Sequence, residues 1–201
     1  WCISLNPFNA TPLTDDELNR DCLCYLTYEG KPVKASRLFA GHEHEQQVKR
    51  LSAHFNQLPD HYTSINCNPS LIKSLQESNA GEKLEADHTT PIQSVFSKRD
   101  LKRFENYETA YQQLMIDIVA QQVSSTNLVL KNSSVKQIFV DGGFSKNPIF
   151  MYLLAASFPG MEVFAASVPQ ATALGAALVL HNKWNSNSLP SQLVQLNKIA
   201  L

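Results

Sequence analysis

Apolar and polar residues in the first third of the chain predict three strands followed by a helix. Residues 1–5 form a short apolar run that ends at Asn6-Pro7, and residues 22–28 alternate between apolar and polar, so both predict strands. Residues 33–39 predict a returning strand after a turn at 29–32. Gly41 then opens a predicted helix, because three apolar residues recur at helical spacing: Val48, Leu51 and Phe55.

The second half of the chain repeats the order strand, turn, helix. A long helix is predicted from Tyr107 up to the break at Asn132, because it has an apolar stripe: Tyr111, Leu114, Met115, Ile118, Val119 and Val123. Strands are predicted at 137–140 and 162–165, and helices at 148–156 and 171–181, with turns at 141–143 and at Pro169. Such alternation predicts an α/β domain with helices packed on a sheet.

Two segments give weaker patterns. Residues 56–103 are polar and irregular, and only 69–75 predict a helix. Residues 185–201 are rich in Ser, Asn and Gln, which predicts a peripheral tail. The whole of 1–201 is therefore interpreted as one domain with a peripheral end.

Composition and charge exclude several classes of protein. Hydrophobic residues make up 43% of the 201, enough to bury a core. Seventeen basic and eighteen acidic residues leave a net charge of −1, so no field of one sign exists to bind nucleic acid or an anionic membrane. No apolar run approaches the roughly 20 residues that span a bilayer. Four cysteines are too few for a disulfide scaffold, which predicts reduced cysteines and a cytoplasmic location.

The candidate ligand site is the stretch VDGGFSKNP from Val140 to Pro148. Two adjacent glycines let a ligand lie against the backbone, and a helix N-terminus just after them favours an anion. Ser145 and Asn147 could cap that helix or contact a ligand. The alternative is an ordinary connection between a strand and a helix. The spacing fits neither the dinucleotide-binding fingerprint nor a P-loop.

Two other motifs have a structural interpretation. Small residues in QATALGAAL, from Gln170 to Leu178, predict a helix that packs closely against a sheet or another helix. The run GHEHEQ from Gly41 to Gln46 suggests a metal site, but His42 and His44 are two residues apart and point away from each other on a helix. A polar first helical turn explains this run better, so no metal ligand is predicted.

The residues of the last third resemble a known family. The run IFVDGGFSKN from Ile138, followed by QATALGAA from Gln170, is similar to the C-terminal domain of FGGY-family carbohydrate kinases. Trp1 to Leu5 resemble the strand that follows that family's Gly-Thr phosphate loop, and Gly41 resembles the start of its other nucleotide-contacting helix. Kinases of L-fuculose or L-rhamnulose look nearest, and xylulose kinases stay open.

The resemblance implies a ribonuclease-H-like domain of the actin-like ATPase fold, with a mixed sheet and helices on both faces. It implies that ATP or ADP binds at two segments, and that Mg²⁺ assists in the intact enzyme. Gly142 and Gly143 would contact the phosphates and ribose, and Asn147 would reach the adenine. Gly41 with Glu45 or Gln46 would flank the nucleotide; Glu45 is a carboxylate where relatives commonly have an amide, which favours Gln46.

The same resemblance places the catalytic aspartate, the sugar pocket and the metal-binding acids in an N-terminal domain. Since the chain opens on Trp1 and not on Met, it is expected to be the C-terminal domain of a longer kinase, with the general base upstream and no activity alone. Asp141 is expected to cap a helix. Two alternatives stay open, another actin-like ATPase and a non-enzymatic nucleotide-binding or interaction module, and so does a homodimer.

Overall fold

The computed structural model describes residues 2–78, 95–166, 171–190 and 193–201. Trp1, the predicted turn at Pro169 and Gln170 of the small-residue motif lie outside the described residues. The chain divides into two compact units, Trp1–Ser134 and Val135–Leu201. Both units combine helices with strands, which confirms the predicted α/β class.

In its described residues, 2–78 and 95–134, the first unit contains a three-stranded antiparallel sheet and four α-helices. Its longest strand lies in the middle, in the order β1-β3-β2, and Ser36 of that strand pairs with both Ser4 and Cys22. Gly30, with φ +77°, makes the turn between β2 and β3. In chain order the elements are β1 (Cys2–Asn6), α1 (Asp15–Asn19), β2 (Cys22–Leu26), β3 (Pro32–Leu38), α2 (Ala40–Phe55), α3 (Pro69–Ser78) and α4 (Tyr107–Leu130).

Helix α4 forms the core of the first unit, because all of its predicted apolar stripe except the half-buried Val123 is buried. Tyr111, Leu114 and Met115 are fully buried. Towards the sheet, however, α4 makes hydrogen bonds between hydroxyls: Ser4 Oγ lies 2.9 Å from Thr126 Oγ1, and Ser36 Oγ lies 2.8 Å from Ser125 Oγ. Short hydroxyl side chains on both elements therefore satisfy each other inside the interface.

Side-chain amides satisfy the C-terminal carbonyls of α4. Asn6 Nδ2 donates to the Val129 carbonyl at 2.8 Å, and Asn9 Nδ2 donates to the carbonyls of Val129 and Lys131 at 3.1 and 2.8 Å. The last carbonyls of a helix have no partner within the helix. Asn6, which the sequence predicts only as the end of a strand, therefore also fixes the end of α4 together with Asn9.

The segment 95–103, predicted to be irregular, consists of two short 3-10 turns tied to α2 and α4. Arg99 makes two hydrogen bonds to Asp117 of α4, at 2.6 and 3.0 Å. Arg50 of α2 donates to the carbonyls of Phe96 and Arg99 at 3.2 and 2.6 Å. Two arginines thus hold a chain segment that has few apolar residues of its own.

The second unit contains a mixed three-stranded sheet in the order β4-β5-β6. Strands β4 and β5 are parallel, and β6 pairs antiparallel with β5. The segment 185–201, expected to be a peripheral tail, supplies β6. The elements are β4 (Gln137–Val140), α5 (Pro148–Ser157), β5 (Glu162–Ala166), α6 (Ala171–Trp184) and β6 (Leu196–Lys198).

The prediction of a packed α6 is wrong in this structure. None of its residues is buried, and a Cβ added to Gly175 would meet no atom within 4 Å. Leu180 and Trp184 are 56% and 70% exposed. Small residues permit close packing of a helix, but they do not specify a partner.

The structure also shows the state of the cysteines and the length and hydropathy of the helices. All four cysteines are free, and Cys22 is buried whereas Cys24 is exposed. Burial raises the pKa of Cys2 to about 11, so this thiol stays protonated at neutral pH. Within the described ranges, no helix is both long enough and apolar enough to cross a membrane.

Candidate functional site

The glycine turn, residues 141–147, connects β4 to α5 in the second unit. Strand β4 ends at Val140, and a 3-10 helix follows from Gly143 to Lys146. Gly142 has φ +83° and ψ −156°, a backbone conformation open essentially only to glycine. The first glycine of the pair is therefore required by the backbone itself.

Gly143 is a glycine that neither the backbone nor the packing requires. It begins the 3-10 helix and has no positive φ, and a Cβ built on it would meet no atom within 4 Å. Alanine would fit its conformation without strain. The space in front of this backbone is open, so a ligand could approach it closely.

Two side chains hold the glycine turn in shape. Ser145 Oγ donates to the Gly142 carbonyl at 2.8 Å and lies 3.4 Å from the carbonyl of Ala166 at the end of β5. The ring of Phe144 stacks on Phe150 of α5, with centroids 4.5 Å apart. The sequence alone did not single out Phe144. The pattern that could have revealed its role is an aromatic residue directly after the two glycines and six positions before Phe150, an aromatic residue of the next helix.

Asn147 is the N-cap of α5, one of the two roles predicted for it. Its Oδ1 accepts from the N–H groups of Ile149 and Phe150, both at 3.0 Å, and Pro148 at the first helical position has no N–H. The next N–H, of Met151, donates to the Asn147 carbonyl. These first N–H groups of α5 are therefore engaged within the protein, and they are not the free donors on which an anion site at this helix N-terminus would depend.

Asp141 does not have the capping role predicted for it. Asn147 caps α5, and the 3-10 helix that begins at Gly143 has Gly142 as its N-cap residue and no side-chain cap. The Asp141 side chain is exposed. Two glycines separate Asp141 from Phe144, and Asn147 lies nearer to the first N–H groups of α5, which explains why it takes the cap.

Gly41 and Glu45 lie on one face of α2 in the first unit. They are four residues apart, and residues at that spacing are neighbours on a helix surface. Gln46 is rotated from Gly41 by about 140° around the axis. Helix geometry therefore favours Glu45 as the companion of Gly41, although the amide of Gln46 makes it the better candidate from sequence alone.

The carboxylate of Glu45 is charged and paired. Lys49 Nζ lies 2.7 Å from Glu45 Oε1, one helical turn away, and both side chains are largely exposed. The hydrogen bond from Lys49 holds the pKa of Glu45 below its ordinary value. At neutral pH Glu45 is thus an acceptor, suited to hydroxyl or amine donors of a ligand.

His42 and His44 have different surroundings. His42 is exposed, whereas His44 is half-buried and its Nε2 lies 3.0 Å from Tyr111 Oη of α4. Burial lowers the pKa of His44 to about 4, so the ring is neutral at pH 7. Among the described residues, no group of three or more His, Cys, Asp or Glu could hold a metal ion.

The predicted site residues thus lie in two local groups, one in each unit. Gly142, Gly143 and Asn147 belong to a single turn, and Gly41 and Glu45 share one face of α2, with Gln46 also exposed but turned away. The His44–Tyr111 contact is a feature that the sequence pattern did not reveal, because 67 residues separate its partners.

Comparison with known proteins gives a match to a protein family and a similarity in fold to a solved structure. The family model described as carbohydrate kinase FGGY, C-terminal domain, matches residues 1–188. Among solved structures, a carbohydrate kinase from Novosphingobium aromaticivorans is similar in fold, with a TM-score of 0.59 and 20% identity. The similarity covers 94% of this chain but 38% of that kinase, so the chain spans well under half its length. No curated protein is significantly similar in sequence.

Proposed function

Because the chain belongs to the C-terminal domain family of FGGY carbohydrate kinases, we propose that it is the nucleotide-binding part of an ATP-dependent sugar kinase. The intact enzyme would transfer the γ-phosphate of ATP to a hydroxyl of a ketose such as L-fuculose, L-rhamnulose or xylulose. Phosphoryl transfer depends on positioning and charge stabilisation. In that reaction, the proposed role of this chain is to bind the nucleotide.

The observation that supports the proposal best is the open backbone at Gly143. Gly142 is explained by its positive φ, but Gly143 is not explained by conformation or by packing. A phosphate lying against this backbone would account for the missing side chain. Lys146, exposed at the end of the same turn, adds a positive charge close to it.

The other proposed contacts with the nucleotide come from the two local groups of residues, one at the glycine turn and one on α2. Asn147 has its amide oxygen fixed by α5, so its side chain is oriented before any ligand arrives. Gly41 and Glu45 are proposed to contact the nucleoside part from α2, where the Glu45 carboxylate would accept from a ribose hydroxyl or from the adenine amine. Gln46 has no proposed contact.

No residue of this chain is proposed as a metal ligand or as the general base. Mg²⁺ accompanies ATP through its phosphate oxygens, and the described residues offer no cluster of ligands for it. Asp141 is exposed and lies beside the proposed phosphate site. Because the resemblance to the family places the general base and the sugar pocket in an N-terminal domain, we expect the 201 residues alone to show no sugar-dependent ADP production.

Calorimetric titration with ADP tests the site. Replacing Gly143 by valine puts a branched side chain into the space proposed for phosphate, and we expect the dissociation constant to rise by more than about ten-fold. Gly160→Val is the matched control, because Gly160 also has open space around its Cβ position and no positive φ but lies beyond α5.

The control variant is expected to bind ADP within about two-fold of the wild type. Equal affinity of wild type and Gly143→Val would mean that the glycine pair only makes the connection between β4 and α5. Equal loss in both variants would point to a general effect of valine on the second unit.

A further inference from the structure

His44 joins the N-terminal part of α2 to the buried aromatic residues of α4. Its Nε2 is hydrogen-bonded to Tyr111 Oη at 3.0 Å. Its ring also meets the ring of Tyr62 edge to face, with centroids 5.0 Å apart and planes at 81°. Tyr111 is fully buried, so one end of this contact is fixed in the core.

The contact lies in the N-terminal half of α2. The helix begins at Ala40, and its N-cap residue Phe39 makes no side-chain cap. Ala40 and Val48 are buried on the same side as His44, but aliphatic contacts are non-directional. A hydrogen bond has a set length and angle, so it adds a directional restraint on the rotation of the helix to the packing of these residues.

Rotation of α2 decides where its outer face points. His44 directly precedes Glu45 and follows Gly41 by three residues, so the anchored side chain and the two outward residues belong to the same two helical turns. A rotation of α2 by about 20° would move the end of a side chain that lies 6 Å from the axis by about 2 Å. A shift of that size is enough to lose a hydrogen bond to a ligand.

We propose that His44 is a positioning residue, whose hydrogen bond to Tyr111 sets the direction in which Gly41 and Glu45 face the nucleotide. This inference rests on the proposed function, in which those two residues contact ADP or ATP. It gives a role to a half-buried histidine that makes no proposed contact with a ligand. It also gives His44 a role that the exposed His42 does not share.

Tyr111→Phe and Tyr62→Phe make the same chemical change on neighbouring rings. Of these two tyrosines, Tyr111 is the one whose hydroxyl is hydrogen-bonded to His44 Nε2. Measured by calorimetry at a temperature where both variants are folded, Tyr111→Phe is expected to weaken ADP binding by about five-fold, the effect of one typical hydrogen bond. Tyr62→Phe is expected to stay within about two-fold of the wild type.

Rescue separates positioning from mere stability. His44→Gln keeps a polar amide that can reach the Tyr111 hydroxyl, and it should retain wild-type affinity for ADP. His44→Leu keeps the packing but not the hydrogen bond, and it should bind ADP as weakly as Tyr111→Phe, with no further loss in the double variant.

The outcomes distinguish this inference from the proposed function. If Tyr111→Phe and His44→Leu lower the melting temperature but bind ADP like the wild type, His44 is structural and the inference is overturned. If the wild type itself binds no ADP, the proposed function falls and the inference falls with it. Weaker ADP binding by Tyr111→Phe, together with wild-type ADP affinity in His44→Gln, supports the inference.

Discussion

Replacing Lys34 by methionine is expected to lower the free energy of unfolding by about 3 kcal/mol, because it leaves a buried carboxylate without a cation. Lys34 Nζ lies 2.6 Å from Glu17 Oε1, and both side chains are only 3% exposed. The hydrogen bond from Lys34 is the main reason that the pKa of Glu17 is lowered. Urea denaturation followed by circular dichroism measures the loss.

Two comparisons make this result specific. Glu17→Gln together with Lys34→Met removes both charges but keeps an acceptor for the Thr14 N–H that Glu17 now binds at 2.9 Å, so most of the stability should return. Lys49→Met breaks the exposed pair with Glu45 and should cause no measurable loss. If Lys34→Met proved as stable as Lys49→Met, the buried pair would have no role in stability.

Acidification from pH 6.5 to pH 4 is expected to cost about 3 kcal/mol of stability through His44 alone. Burial holds the pKa of His44 at about 4, below its ordinary value of 6.5. Between these two values the unfolded chain binds a proton that the folded protein does not, so unfolding becomes easier as the pH falls. Well above pH 6.5 neither state is protonated there, and well below pH 4 both are, so the difference changes mainly between these two values.

The control for this pH effect is His44→Gln, which cannot titrate. Its free energy of unfolding should change less than that of the wild type between pH 6.5 and pH 4, and the difference between the two proteins should change by about 3 kcal/mol over this range. Parallel pH profiles of wild type and His44→Gln would contradict the buried, neutral state of His44. Carboxylates such as Glu17 contribute to both profiles and cancel in the difference.

Sequence patterns predicted the elements that have a strong local signal. The order β4, turn, α5, β5 follows from alternating apolar runs and from Asn147-Pro148, and it matches the structure within a residue or two. Helix α1 was missed because it has five residues and no apolar stripe; its signal was the capping box of Thr14 and Glu17. Strand β6 was missed because its pairing with β5 lies outside the local sequence.

In the candidate site, too, some features follow from a local sequence pattern and others depend on contacts between distant residues. The turn at Gly142 and the cap by Asn147 are local, so glycine and asparagine in that order predict them. The neutral state of His44 depends on its burial, and its contact with Tyr111 joins residues 67 positions apart, so no local pattern contains that information. The exposure of α6 shows the reverse case, in which a local pattern of small residues predicted packing that tertiary structure does not supply.

Titration of the isotopically labelled protein with ADP, followed by amide NMR signals, tests the nucleotide site most directly. Because weak binding still shifts signals, the experiment does not depend on high affinity. If the glycine turn binds the phosphates, the amides of Gly142, Gly143 and Lys146 will shift with a common saturation curve, and Gly160 will not. Unchanged signals at Gly142 and Gly143, with or without shifts elsewhere, would contradict a nucleotide site at this turn.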